Sequence, residues 1–191
     1  MTKIMKLNEF IANEIIKGPI TNPPNEGEGL LVPMIFIKDL KNGIIILDSE
    51  QKRTLKDSKS LEKSKLKEKD ILVAMRGDFR SAIVHSEATE YIINQNLVGL
   101  RLNNKILPEV LVIFLNSKKG QQQLTAKSTG TTVPSITIRD LLDIQVPVPP
   151  IEIQKILVDY FTSIQEYTTL IQEENELVNK MMNFVVSNYL E

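Results

Sequence analysis

Beyond Pro147, Pro149 and Pro150, residues 151–190 contain neither Gly nor Pro. A stretch that long without a breaker has one regular structure open to it, a helix of ~60 Å at ~1.5 Å per residue. Within it Leu157, Tyr160, Ile164, Tyr167, Ile171, Val178, Met181 and Val185 fall on alternating steps of three and four, with Glu174 in one slot. That is the a/d stripe of a coiled coil over about four heptads. Ile153, Ile156, Phe161, Leu170, Leu177, Met182 and Phe184 widen the apolar face beyond one seam. Such a helix needs a partner. It folds back on its own body or pairs with a second copy, and the rest of the sequence holds no other helix long enough to match it. Pairing between chains is the expectation.

The remainder reads as short strands separated by turns. LLVPMIFI, GIIIL, ILVAM, SAIVH, EYIIN, LVGLRL and ITI are β-branched runs bounded by turn residues. Residues 109–124 are long enough for one helix, and Pro108 suits its first turn. Over residues 3–17, Ile4, Leu7, Ile11 and Ile15 fit helical spacing up to Gly18-Pro19, while a strand-plus-turn reading of MKLNEFIANEII stays open. The expected fold is α/β in the broad sense (α+β): a mixed-sheet body over 1–148 followed by a helix over 149–191.

Charge divides the chain at the same place. Residues 151–191 carry two basic and seven acidic side chains, net −5, and residues 1–150 carry 21 basic and 17 acidic, net +4. Positive charge gathers in residues 51–69, the pattern of a solvated Lys-rich surface, and in residues 117–139. The latter hold Lys118, Lys119, Lys127 and Arg139 without an acid, among Ser, Thr, Gln and Gly that also donate hydrogen bonds to phosphates.

The sequence removes several classes of chemistry. Cys is absent and His85 is the single histidine. Disulfides, Cys/His zinc sites, haem attachment and thiol catalysis are therefore excluded. His85 ends an apolar run and reads as structural, with no G-x-S-x-G beside it. The eight glycines form no phosphate or dinucleotide loop. Asn22-Pro23-Pro24-Asn25 is similar to the (Asp/Asn)-Pro-Pro-aromatic motif of amino-methyltransferases, but Asn25 offers no ring, so a Pro-rich loop is the better reading. Asp39, Glu50 and Lys52 match the loose pattern of a metal-dependent nuclease, a short pattern in a Lys-rich region. The longest apolar run, Leu30 to Ile37, is eight residues with Pro33 inside, well short of a membrane span. A cytoplasmic, non-catalytic protein without cofactor or metal is expected.

Four ordered stretches together resemble the specificity subunit of type I restriction–modification systems. They are LVPMIFIKDLKNGII; LKEKDILVAMRGDFRSAIV; YIINQNLVGLRLNNKILPEVLVIFLNSKKGQQQL; and STGTTVPSITIRDLLDIQVPVPPIEIQKIL. Lys69 stands where the family usually has Gly, and the Pro149-Pro150…Gln154 junction before a heptad helix is the most specific piece. The resemblance implies a small target recognition domain followed by a spacer helix. It implies binding of double-stranded DNA and association with an adenine methyltransferase subunit and a restriction subunit. Family members usually contain two such units; one unit here implies a homodimer through Leu157, Tyr160, Ile164, Tyr167, Ile171, Val178, Met181 and Val185.

Candidate DNA contacts follow from residue type. Arg76 and Arg80 flank a Gly77-Asp78 turn, and Arg is the commonest reader of guanine. Lys118, Lys119, Lys127, Ser128, Thr129, Thr131 and Thr132 supply phosphate contacts and hydrogen bonds. Arg76 could instead pair with Asp78, and Lys118 and Lys119 could sit at a helix C-terminus favoured by the dipole. A coiled-coil protein without a DNA role and the Asp39/Glu50/Lys52 nuclease are the alternative functions.

Overall fold

Strands of two to seven residues and short helices alternate along the described chain up to residue 148, and one long helix follows. The structure, a computed structural model, describes residues 1–23, 29–55 and 58–189. The order is β1 (Lys3–Lys6), β2 (Ile11–Lys17), β3 (Leu30–Ile35), β4 (Leu40–Lys41), β5 (Ile44–Ile45), β6 (Lys52–Leu55), α1 (Ser58–Lys63), β7 (Ile71–Ala74), β8 (Ser81–Ile83), β9 (Ile92–Ile93), β10 (Leu97–Leu102), α2 (Pro108–Asn116), α3 (Lys118–Lys127), α4 (Ile138–Leu142), β11 (Gln145–Val148) and α5 (Ile151–Tyr189). The mixed α/β class with a long terminal helix is as the sequence indicated. Pro24 and Asn25 of the Pro-rich motif lie outside the described residues.

The central sheet is antiparallel, in the order β2-β10-β7-β8. β7 shows why its sequence, ILVA, is apolar throughout: all four residues are buried, and alternate ones face different cores. Ile71 and Val73 join Leu7, Phe10, Leu100, Leu111, Leu115 and Leu124 beneath α2 and α3. Leu72 and Ala74 join Ile16, Ile35, Leu40, Ala82 and Ile93 on the opposite face. A second sheet, β6-β3-β9, contains the parallel pair β3–β9, and β4–β5 and β1–β11 form two-stranded ribbons.

One open reading is settled and two sequence expectations change. Residues 3–17 are not a helix but two strands around a 3₁₀ turn at Leu7–Phe10, because Leu7 and Phe10 are both driven into the main core and the flanking strands find remote partners. Residues 109–124 form two helices. Ser117 breaks them and caps the second, its hydroxyl accepting from the Gly120 N–H at 3.2 Å. Gly120 is required there: a Cβ would lie 2.1 Å from the Phe114 carbonyl oxygen. ITI is not a strand, since Thr137 caps α4 by accepting from the Asp140 N–H at 3.1 Å.

Among the described residues, the helix α5 is bound to the body only at its base. Gln154 and Phe161 are buried, and Leu157 and Val158 pack against the main core. Past Phe161 none of its described residues is buried. The helix does not fold back, and Tyr160, Ile164, Tyr167, Ile171, Val178, Met181 and Val185 are all exposed, from 36% at Ile164 to 66% at Tyr167.

Candidate nucleic-acid interface

The turn from β7 to β8 is held from beneath by Phe79, which is 2% exposed with φ +41°. That anchor leaves Arg76, Asp78 and Arg80 outside. Gly77, at φ +75°, has nothing within 4 Å of where a Cβ would be, so its demand is conformational and not steric. Asp78 pairs with Arg80 at 2.6 Å, and not with Arg76. Arg76 has no side-chain hydrogen bond or ion pair among the described residues.

A second loop lies against this turn. Thr129 and Ser135 exchange both backbone hydrogen bonds at 2.8 Å, closing residues 130–134 into a protruding loop with Gly130 at φ +94°. The Gly77 N–H donates to the Pro134 carbonyl at 2.9 Å, and the Ile136 N–H to the Met75 carbonyl at 3.0 Å. The Arg76 turn and the Thr-rich loop, more than fifty residues apart in sequence, are thus one surface. Thr129, Thr131 and Thr132 are exposed on it, while the Ser128 hydroxyl donates to the Thr125 carbonyl at 2.8 Å.

The lysines divide. Lys127 donates to Asp143 at 2.6 Å, and Lys6 meets the same carboxylate at 2.5 Å. The Lys127 hydrogen bond, and then that of Lys6, hold the Asp143 carboxyl down at about 2. Lys118 and Lys119 are exposed and unpaired among the described residues. They stand in the first turn of α3, not at a helix C-terminus, so the helix dipole does not favour their charge.

A cleft of about 480 Å³ lies between the β4–β5 turn, the Asp78–Ser81 segment and the α2–α3 junction, lined in part by Lys41, Asn42, Asp78, Arg80, Asn116 and Gln121. Gln121 is fixed by donating to the Leu115 carbonyl at 2.7 Å and the Phe79 carbonyl at 3.3 Å. Asn116 is occupied by Ser81, through its backbone N–H, hydroxyl and carbonyl. Lys41 and Asn42 were missed by the sequence reading. Their signal was the Asn42-Gly43 dipeptide, a hairpin turn whose left-handed φ values of +50° and +84° point it outward.

The nuclease arrangement does not form. Asp39 is 7% exposed and both its oxygens are occupied, by the Phe36 N–H at 2.8 Å and by the Gln51 amide at 3.1 and 3.2 Å. Glu50 is exposed and Lys52 lies on β6. Among the described residues no three His, Cys, Asp or Glu side chains gather as metal ligands, and no helix is long and apolar enough to cross a membrane. The His85 ring meets the Ile45 carbonyl at 3.3 Å, a structural contact.

What these elements make is a body with a polar, cation-bearing loop surface, carried at the base of a helical arm. The sequence model of the type I restriction modification DNA specificity domain matches residues 2–180, and the chain belongs to that family. It is 26% identical over 113 residues to the type I restriction enzyme MjaVIII specificity subunit of Methanocaldococcus jannaschii, covering 59% of this chain and 26% of that protein. Its fold is similar to the HsdS subunit of Thermoanaerobacter tengcongensis, with a TM-score of 0.58 at 19% identity over 91% of this chain and 39% of that one. It is similar too to the type I restriction-modification S subunit of M. genitalium, with a TM-score of 0.61 at 16% identity over 98% of this chain and 46% of that one. The chain therefore spans from a quarter to just under half the length of these relatives.

Proposed function

We propose that this chain is a non-catalytic DNA sequence-recognition subunit of a type I restriction–modification system that pairs through α5. In this reading it directs an adenine methyltransferase subunit, and a restriction subunit where one is present, to a bipartite target in double-stranded DNA. The observation that carries it is the combination of a family match across nearly the whole chain with an arm whose apolar seam is bare. A lone recognition body contacts one half-site; a second body at fixed separation is what makes the target bipartite.

Arg76 is the leading base reader, since no acid pairs with it among the described residues, with Arg80 oriented by Asp78 beside it. Lys118 and Lys119 serve phosphates, and Thr129, Thr131 and Thr132 offer hydroxyls at the loop surface. Lys127 and Ser128 contribute by holding that loop's entry, given their engagement with Asp143 and Thr125. The seam from Tyr160 to Val185 joins two copies, with Leu157 turned to the body.

A closed homodimer is two-fold symmetric, so its half-sites are related by the same axis. The test combines the chain with its cognate methyltransferase and maps modified adenines across a genome. The expected motif is an interrupted palindrome with a spacer of fixed length. An asymmetric bipartite motif would require a different second specificity chain and refute the homodimer.

A further inference from the structure

We propose that Gln154 and Phe161 are positioning residues that fix the angle at which α5 leaves the body, and thereby the separation of the two recognition bodies; the inference rests on the paired-arm reading above. Helix length alone does not set a separation. An arm that follows Pro149-Pro150 and swivels at its base would sample many.

Two contacts prevent the swivel. Gln154 is 4% exposed, and both ends of its amide are used. Its Oε1 accepts from the Leu107 N–H, the residue that precedes α2, at 3.0 Å, and its Nε2 donates to the Pro149 carbonyl at 3.0 Å. The side chain thus ties the entry of α2, the exit of β11 and the first turn of the arm together. Rotating it away leaves two partly buried backbone groups without these partners, which is unfavourable.

Two turns further on, Phe161 is 6% exposed and lies over Gly43. A Cβ at Gly43 would be 2.6 and 2.7 Å from Phe161 ring atoms and 3.0 Å from Val112 Cγ1, so the ring rests directly on the backbone of the β4–β5 turn. Leu157 and Val158 fill the space between the two contacts. The arm is therefore held at two points, ~10 Å apart at ~1.5 Å per residue, against two different elements. The second element matters: the turn that seats Phe161 also presents Lys41 and Asn42 to the cleft beside Arg80. The arm and the candidate reading surface share one hairpin.

Leverage makes the angle consequential. Residues 162–189 extend ~42 Å beyond the last buried contact. A swing of about 10° at the base moves the tip by ~7 Å, roughly two base-pair steps of ~3.4 Å.

The chain has no Cys, so spin labels can be placed on the full chain at Glu87→Cys in the body and Asn183→Cys on the arm, both exposed positions. Diluting labelled chain with unlabelled chain leaves only distances within one molecule. The wild type should give one narrow distance distribution. Gln154→Ala and Phe161→Ala should each broaden it at least about twofold, with Phe161→Leu restoring most of the sharpness. Thermal melts show which variants remain folded. In parallel, duplexes carrying the half-sites at the native spacer and at one base pair more or less are assayed for binding. The two Ala variants should accept the neighbouring spacers with unchanged half-site preference. A distribution in folded variants as narrow as that of the wild type, or a wild type already broad, overturns the inference, as does broadening without any change in accepted spacer. Absence of sequence-specific DNA binding by the wild type itself, with the distances broadening as expected, refutes the DNA reading and not the clamp.

Discussion

Replacing Arg101 with Leu tests how the body is held together at the end of the sheet remote from the Arg76 turn. Arg101 lies on β10, 15% exposed. Its Nε donates to Asp70 Oδ1 at 2.9 Å, one Nη to Asp70 Oδ2 at 2.8 Å, and the other Nη meets the Glu14 carboxylate on β2. The Asp70 hydrogen bond holds the guanidinium above its ordinary range, against burial, with Glu14 adding to it. Asp70 is 2% exposed, and without Arg101 its carboxylate would keep, among the described residues, only the Lys67 N–H at 2.8 Å. Stranding one partner of a buried pair costs ~3–5 kcal/mol, and the surviving N–H puts this case near ~3. That is a large part of the ~5–15 kcal/mol that holds a domain folded. Glu14 is 52% exposed, so Glu14→Gln should cost less than about 1 kcal/mol. Asp70→Asn combined with Arg101→Leu removes the stranded charge and should cost less than Arg101→Leu alone. Urea unfolding followed by circular dichroism, at one protein concentration, gives the stability of the wild type and of the three variants. Equal losses for Arg101→Leu and Glu14→Gln would refute the argument, because the buried and exposed halves of the network would then be equivalent.

Three further outcomes are expected. Because Lys127 and Lys6 hold the Asp143 carboxyl at about 2, its contribution to stability is fully present above the ordinary carboxylate range and is lost as pH falls from there through about 2; the melting temperature of Asp143→Asn should fall less steeply across that window than the wild type's, and parallel profiles would contradict the pairing. Lys118→Ala with Lys119→Ala should weaken binding to all duplexes alike and flatten the salt dependence by ~1 per lost phosphate contact, whereas Arg76→Ala should reduce discrimination between sites by ~1–3 kcal/mol; affinities unmoved by all three would remove the site assignment. Ile164→Asp with Ile171→Asp puts carboxylates on the bare seam and should sediment as a monomer with the body's melt unchanged, while a wild type that is monomeric at high concentration would leave the seam without its proposed role.

The sequence carried the arm and six of the eleven strands among the described residues, β3, β5 and β7 to β10, because each leaves a local trace: heptads without a breaker, and β-branched runs between turns; β4, β6 and β11, short and partly Lys- or Pro-bearing, leave none. What it hid was decided by partners far along the chain. Ile4, Leu7, Ile11 and Ile15 satisfy a helical period, but Lys3–Lys6 pairs with residues 145–148 and β2 with β10, and those pairings outweigh the local preference. The break at Ser117 had a local signal, a capping Ser three residues before a Gly, masked by the apolar run ahead of it. Thr137 with Asp140 three residues on was a cap as well, masked by Ile136 and Ile138 on either side. Within the candidate site, the juxtaposition of the Arg76 turn with the 129–135 loop rests on backbone hydrogen bonds from Gly77 and Ile136, which no residue type announces. The engagement of Lys127 was equally silent, since its partner Asp143 lies sixteen residues away.

The pairing of β1 with β11 has a consequence for how such a unit multiplies. Lys3 sits opposite Val148, so the chain enters the body beside the point where the arm departs. The far end of α5 is ~58 Å from its start. In a head-to-tail duplication, a second body joined there begins its fold at the distal tip of the first arm. Its own arm, starting from that same tip, needs only to reverse direction to lie along the first. Two fused copies thereby reach opposite ends of a paired rod with a connector of a few residues, and the loop-closure entropy of a long tether never enters. Two separate copies, if paired along the same seam as proposed, would arrive at an equivalent layout through association, which would make it depend on concentration.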